Sequence, residues 1–144
     1  MWPKSERLEK KARIVARTDT GPIIEVTFKG KAWDGCSDEL FRFIGRVLQD
    51  MGPAGIVMNL GEFKIGSWDD IGPVFIQLIG KRAQQFLPFC IVAKKRTTEC
   101  LKTMFMAMQE TEIIGAGFFS SAEDALRYLE NRLREARPDT SSQH

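Results

Sequence analysis

Ile24, Val26 and Phe28 alternate with Glu25, Thr27 and Lys29, a period of two that predicts a strand with one apolar and one polar face. The stretch ARIVART precedes it across a DTG turn, so an antiparallel hairpin is expected at the start of the fold. From Ser37 the period lengthens. Leu40, Ile44, Val47 and Leu48, flanked by Phe41 and Phe43, form a helical face that MGPAG terminates. Residues Gly55 to Asn59 and Phe89 to Ala93 are short apolar runs with no alternation, the pattern of strands covered on both faces. Between them Val74, Phe75, Leu78, Ile79 and Ala83 recur at helical spacing. Proline suits a first helical position, so this helix is expected to begin at Pro73 behind an N-cap at Gly72, with SWDDI before it or in a tight preliminary turn. Leu101, Met104, Phe105 and Met108 predict a third helix behind Thr97 and Thr98, its stripe turned to the core. Gly117-Phe118-Phe119 reads as a last strand, and Ser120-Ser121-Ala122-Glu123 as a capping box opening a helix with Ala122, Ala125, Leu126, Leu129 and Leu133 inward.

The expected order is therefore β-β-α-β-α-β-α-β-α, an α/β fold with a single mixed, mostly parallel sheet packed by about four helices. It occupies residues 12–134, between a charged lead at 1–11 and a polar tail at 135–144 expected to be disordered. Sheets of this kind present ligands and partners at the carboxyl ends of their strands. The loop KIGSWDDIGP, residues 64–73, and the turn KKRTT, residues 94–98, both follow such ends and are expected on one rim.

Composition narrows the chemistry. Twenty-one basic and nineteen acidic side chains, interspersed, leave a net charge of +2, which argues against a nucleic-acid binder. Three cysteines without CxxC spacing argue against a disulfide framework and a zinc site. The single histidine, His144, ends a polar tail, so histidine catalysis is set aside. No metal cluster, nucleophile–base pair or cofactor fingerprint is visible, and a non-enzymatic role without cofactors is expected. No apolar run approaches the roughly 20 residues that cross a bilayer, so a cytoplasmic protein without membrane contact is expected.

Three stretches in this order and spacing, FKGKAWD at 28–34, IVMNLGEFKIGS at 56–67 and FFSSAEDALRYL at 118–129, resemble the STAS domain of anti-sigma factor antagonists and sulfate transporter tails. The resemblance runs from about Ala12 to Leu133. It implies a bacterial partner-switching module whose loop after the third strand carries a serine in a D-S-x-G pattern. A dedicated kinase phosphorylates that serine; the unmodified form captures an anti-sigma partner and the phosphorylated form releases it. Here the motif is degenerate. Aligning Asn59-Leu60-Gly61 with the family's D-L-S puts Ser67 on the aspartate, Trp68 on the serine and Asp70 on the glycine, whereas a one-residue slip makes Ser67 the phosphosite.

Each candidate residue has a plain structural role beside the functional one. Ser67 is a candidate phosphosite or a turn hydroxyl, and the turn role is the commoner. Asp69 and Asp70 carry the charge a phosphate would bring, or merely favour the positive end of a helix. Trp68 either anchors a partner or folds back on the rim. Lys94, Lys95 and Arg96 are a candidate anion site or a solvated basic turn, the latter commoner. Asp34 is expected to cap the first helix, and Cys36 beside it to have a pKa lowered by the helix start, if anything. The reading adopted is a partner-binding module docking a regulatory protein, an anti-sigma factor or serine kinase-like protein, through Ser67, Trp68, Asp69 and Asp70, with or without phosphorylation control. The alternative is a small-ligand or nucleotide/anion-binding domain using Lys94, Lys95 and Arg96 on the same rim.

Overall fold

Side chains alternate across a strand, and in this chain both resulting faces of one sheet are buried, by different helices. The computed structural model describes residues 8–33, 35–84, 87–107 and 117–136. The elements are β1 (Glu9–Thr18), β2 (Gly21–Lys31), α1 (Cys36–Met51), β3 (Gly55–Asn59), β4 (Phe63–Lys64), α2 (Trp68–Gln84), β5 (Phe89–Val92), α3 (Lys95–Ala107), β6 (Phe118–Phe119) and α4 (Ala122–Ala136). Strand order is β1-β2-β3-β5-β6, with β1 antiparallel to β2 and every later pair parallel. This is the expected mixed, mostly parallel sheet. The two-residue β4 was not foreseen; it adds to the end of β2, pairing Gly30 with Phe63 and Lys31 with Lys64.

Even-numbered positions of β2 and β3, namely Ile24, Val26, Phe28, Ile56 and Met58, join Phe89 and Ile91 of β5 in the main core. Over them lie Leu40, Ile44 and Val47 of α1, Ile71, Val74, Phe75 and Leu78 of α2, and Leu101 and Phe105 of α3. Their neighbours Ile23, Val57, Cys90 and Val92 face the other way, under Ala125, Leu129 and Leu133 of α4. The third helix meets its expectation in Leu101 and Phe105, which are buried, and Met104, which packs against the core; Met108 lies outside the described residues.

Four boundaries differ from expectation. The first helix is capped at Gly35, whose φ of 89° favours glycine; Asp34 lies outside the described residues. The second begins at Trp68 and holds Pro73 inside it. A proline there cannot donate to the carbonyl four residues back, that of Asp69, but Asp69 is on the exposed side, where water can serve it. The third begins at Lys95, because the Thr98 N–H donates to the Lys94 carbonyl at 2.8 Å and closes a helical turn ahead of both threonines. The last is capped by Ser121, not Ser120: its hydroxyl oxygen accepts the Asp124 N–H at 3.1 Å.

The alternation in β2 also has an exception. Glu25 is buried, because β3 and β1 close over a position the period of two leaves polar. Its carboxylate accepts Arg13 Nε at 2.8 Å and Asn59 Nδ2 at 3.4 Å, as a buried charge requires.

Phe28 is fully buried and meets Phe43 of α1 and Phe63 of β4 edge-on, at centroid separations of 6.0 and 6.2 Å. Phe28→Ala is expected to cost about 3–5 kcal/mol, read as a lower midpoint in urea unfolding.

Candidate functional site

Because β2, β3, β5 and β6 are parallel, their carboxyl ends at Lys31, Asn59, Val92 and Phe119 share one rim. The two loops singled out in the sequence leave from neighbouring strands of that rim. The first is pinned before it reaches Ser67. Leu60 N–H donates to the Val92 carbonyl at 2.7 Å, Asn59 Oδ1 accepts the Gly61 N–H at 3.0 Å, and Gly30 and Ala32 N–H donate to the Glu62 and Lys64 carbonyls at 3.0 and 3.1 Å.

Ser67 then turns the chain into α2. The Asp70 N–H donates to the Ser67 carbonyl at 3.1 Å, making the first turn tight. In return Asp70 Oδ2 accepts the N–H groups of Gly66 and Ser67 at 2.8 and 2.9 Å. Helix starts leave such donors without intrahelical partners, and a carboxylate three residues in can reach back to serve them. The same carboxylate lies favourably at the positive end of the helix. Asp69, next to it, is exposed. So is Ser67.

The indole of Trp68 is folded partly onto the core. It stacks on Phe75 at 6.1 Å and 18° and meets Phe105 of α3 edge-on at 5.7 Å and 80°. Phe75 and Phe105 are themselves edge-to-face at 5.0 Å. The seat exists only because residue 72 has no side chain: a Cβ there would lie 2.4 Å from both Cε2 and Nε1 of the indole. A tryptophan followed four residues later by glycine was the available sequence signal, since those positions stack on one helix face.

From the other side α1 reaches the same turn. Cys36, wholly buried, points its thiol at the Asp70 carbonyl, Sγ to O 3.7 Å. Burial is the main cause that raises its pKa, with Asp70 and Glu39 adding to it. The lowering expected at a helix start is thus overruled by desolvation. Cys90, beneath α4, is pushed up to about 12 by burial.

Ile76 is the residue that sequence reading passed over. It is 52% exposed, and with Asp69 and Pro73 it stands at i, i+4 and i+7 on the outward side of α2. Its position inside an apolar run, VFIQLI, hid it. Lys94 follows the neighbouring strand β5, and Lys95 and Arg96 open α3; all three are exposed. Among the described residues no group of three His, Cys, Asp or Glu side chains could hold a metal ion, and no helix is long and apolar enough to cross a membrane.

No protein-family model matches the chain, and no curated protein matches it by sequence. By structure it is similar to an anti-sigma factor antagonist from Mycobacterium paratuberculosis, with a TM-score of 0.55 and 17% identity over 90% of this chain and 96% of that one. The fold is therefore that of the STAS domain.

Gly72→Ala is expected to dislodge the indole and cost about 1–3 kcal/mol through overpacking, with a red-shifted Trp68 emission measured in a Trp2→Phe, Trp33→Phe background. Gly80, where a Cβ meets nothing within 4 Å, is the control: Gly80→Ala should stabilise the protein by about 0.5–1 kcal/mol. At pH 8 a thiol of pKa near 12 is ionised to only about one part in ten thousand. Iodoacetamide should therefore label half-exposed Cys100 first, and Cys36 and Cys90 only after unfolding, as mapped by mass spectrometry.

Proposed function

We propose that this chain is a non-enzymatic interaction module of the anti-sigma factor antagonist type, docking a regulatory protein at the corner where the third strand's loop enters α2. The observation that supports this most is the outward stripe of α2. Asp69 supplies a charge, Pro73 a fixed backbone and exposed Ile76 an apolar contact, on the same side of one helix. Ser67 borders the stripe, and Trp68 anchors it from below while offering its remaining open edge.

A surface held this firmly suits recognition, because little side-chain or loop freedom is lost when a partner lands. Exposed Asp69 favours a partner with a basic group opposite it, which helps to set register. The partner is an anti-sigma factor or a serine kinase-like protein, and the unmodified chain is the form that binds. A phosphate on Ser67 would meet the Asp69 and Asp70 carboxylates, with roughly 1 kcal/mol of repulsion from each in water before salt screening. It would also compete with Asp70 for the Ser67 N–H. Binding without phosphorylation control follows.

The test pairs purified anti-sigma factors and serine kinases of the source organism with the wild-type chain and with an Asp69→Lys, Ile76→Glu variant. Calorimetry should show one partner bound by the wild type and weakened by about 2 kcal/mol or more in the variant, as for contacts at the centre of an interface. Equal affinity for both forms would remove the corner as the docking site. Incubation with the same kinases, followed by phosphate mapping, should leave Ser67 unlabelled.

A further inference from the structure

Three polar side chains form a line from the edge strand of the sheet to the loop that leads into the docking corner. At its centre Glu25, 6% exposed, is the one charged side chain buried among the described residues. Its Oε1 accepts Arg13 Nε at 2.8 Å from the opposite position on β1, and its Oε2 accepts Asn59 Nδ2 at 3.4 Å from β3. The other end of that amide, Asn59 Oδ1, accepts the Gly61 N–H at 3.0 Å. Each atom in this line has its role dictated by the next. A backbone N–H can only donate, so the amide must turn its oxygen to Gly61. Its nitrogen, a donor, is then left facing residue 25, where an ionised carboxylate can only accept. Both oxygens of Glu25 are thus taken, one by a guanidinium and one by an amide. Arg13, whose side chain is 73% exposed, brings the counter-charge without being buried itself.

We infer that Glu25 is a positioning residue for the docking corner, acting through the Asn59 amide. The corner's role rests on the function proposed above, whereas the positioning is a property of the fold. With its oxygen on Gly61, Asn59 sets the turn in which the Phe63 N–H reaches the Leu60 carbonyl at 3.2 Å. That turn delivers β4 to the end of β2, where the Glu62 and Lys64 carbonyls accept the Gly30 and Ala32 N–H groups at 3.0 and 3.1 Å. Two residues further on lies Gly66, whose N–H the Asp70 carboxylate holds. A strand of two residues has little pairing of its own, so its place depends on the turn before it. Glu25 decides that turn by deciding which way the amide points. A side chain of the same shape with a single acceptor oxygen cannot do so, because it would leave either Arg13 or Asn59 facing another donor.

Amide hydrogen exchange of the full chain, followed residue by residue by NMR, tests this without any partner. Glu25→Gln leaves one acceptor for two donors, and Asn59→Asp sets two carboxylates against each other, while both keep the shape of the side chain. Each is expected to speed exchange at Gly61, Gly30 and Ala32 about tenfold or more, beyond any change at Leu129 of α4, which packs in the other core and reports overall stability. The double variant Glu25→Gln, Asn59→Asp makes the line whole with its polarity reversed. The new amide gives its oxygen to Arg13 and its nitrogen to the new carboxylate, which still accepts from Gly61. Exchange should then return to within about threefold of the wild type. Single variants that exchange like the wild type, an equal acceleration at Leu129, or a double variant no better than the singles would each overturn the assignment. Failure of the corner to bind any regulatory protein would leave these rates unmoved, so the two readings fail separately.

Discussion

A missing Cβ decides where the rim of this domain stands. With residue 72 a glycine, the Trp68 indole lies across the helix one turn later and reaches Phe75 and Phe105. That contact ties the first turn of α2 to α3 and hence to the core. The tie matters because Pro73 removes one hydrogen bond from the same stretch. Packing on one side and the Asp70 carboxylate on the other hold a turn that the backbone ladder alone would hold poorly. Exposed Asp69 and Ile76 inherit their positions from these two supports.

Much of the fold could be read from the residues because its strands and helices obey different periods in the same chain. The runs around Val57 and Ile91 are apolar at every position, and both turn out to be covered on both faces. The alternation in β2 was read as one buried face. Glu25 breaks that reading, since Arg13 and Asn59 give its carboxylate partners inside. Period alone cannot announce such a network. The helix starts were misplaced for a related reason. Proline and threonine are strong local signals, but at Pro73 and Thr97 they were outweighed by bonds and stacking made from residues four or more positions away.

The candidate site was legible in location and not in construction. That the loop after β3 and the turn after β5 share a rim follows from parallel topology, which the element order implies. How the loop is held does not follow. The pairing of β4 with β2 joins residues more than thirty positions apart, and the Cys36 thiol meets Asp70 from a different helix. A tryptophan in a loop reads equally as anchor or as packing until its neighbours are known. Here it stacks on Phe75, meets Phe105 edge-on and is only partly buried, so its packing role is plain while one part of the ring stays open.

Preorganisation also bears on how such a corner can be controlled. A phosphate alters a binding surface most when it can recruit free backbone donors or nearby cations. The N–H groups of Gly66 and Ser67 are already taken by Asp70. The basic cluster Lys94 to Arg96 lies where β5 passes into α3, and all three side chains are exposed. Modification of Ser67 would therefore add repulsion without a compensating set of bonds, loosening the turn more than reshaping it. A corner whose anion is built in as Asp70 is held in one shape by its own carboxylate, with no phosphate needed to fix the turn.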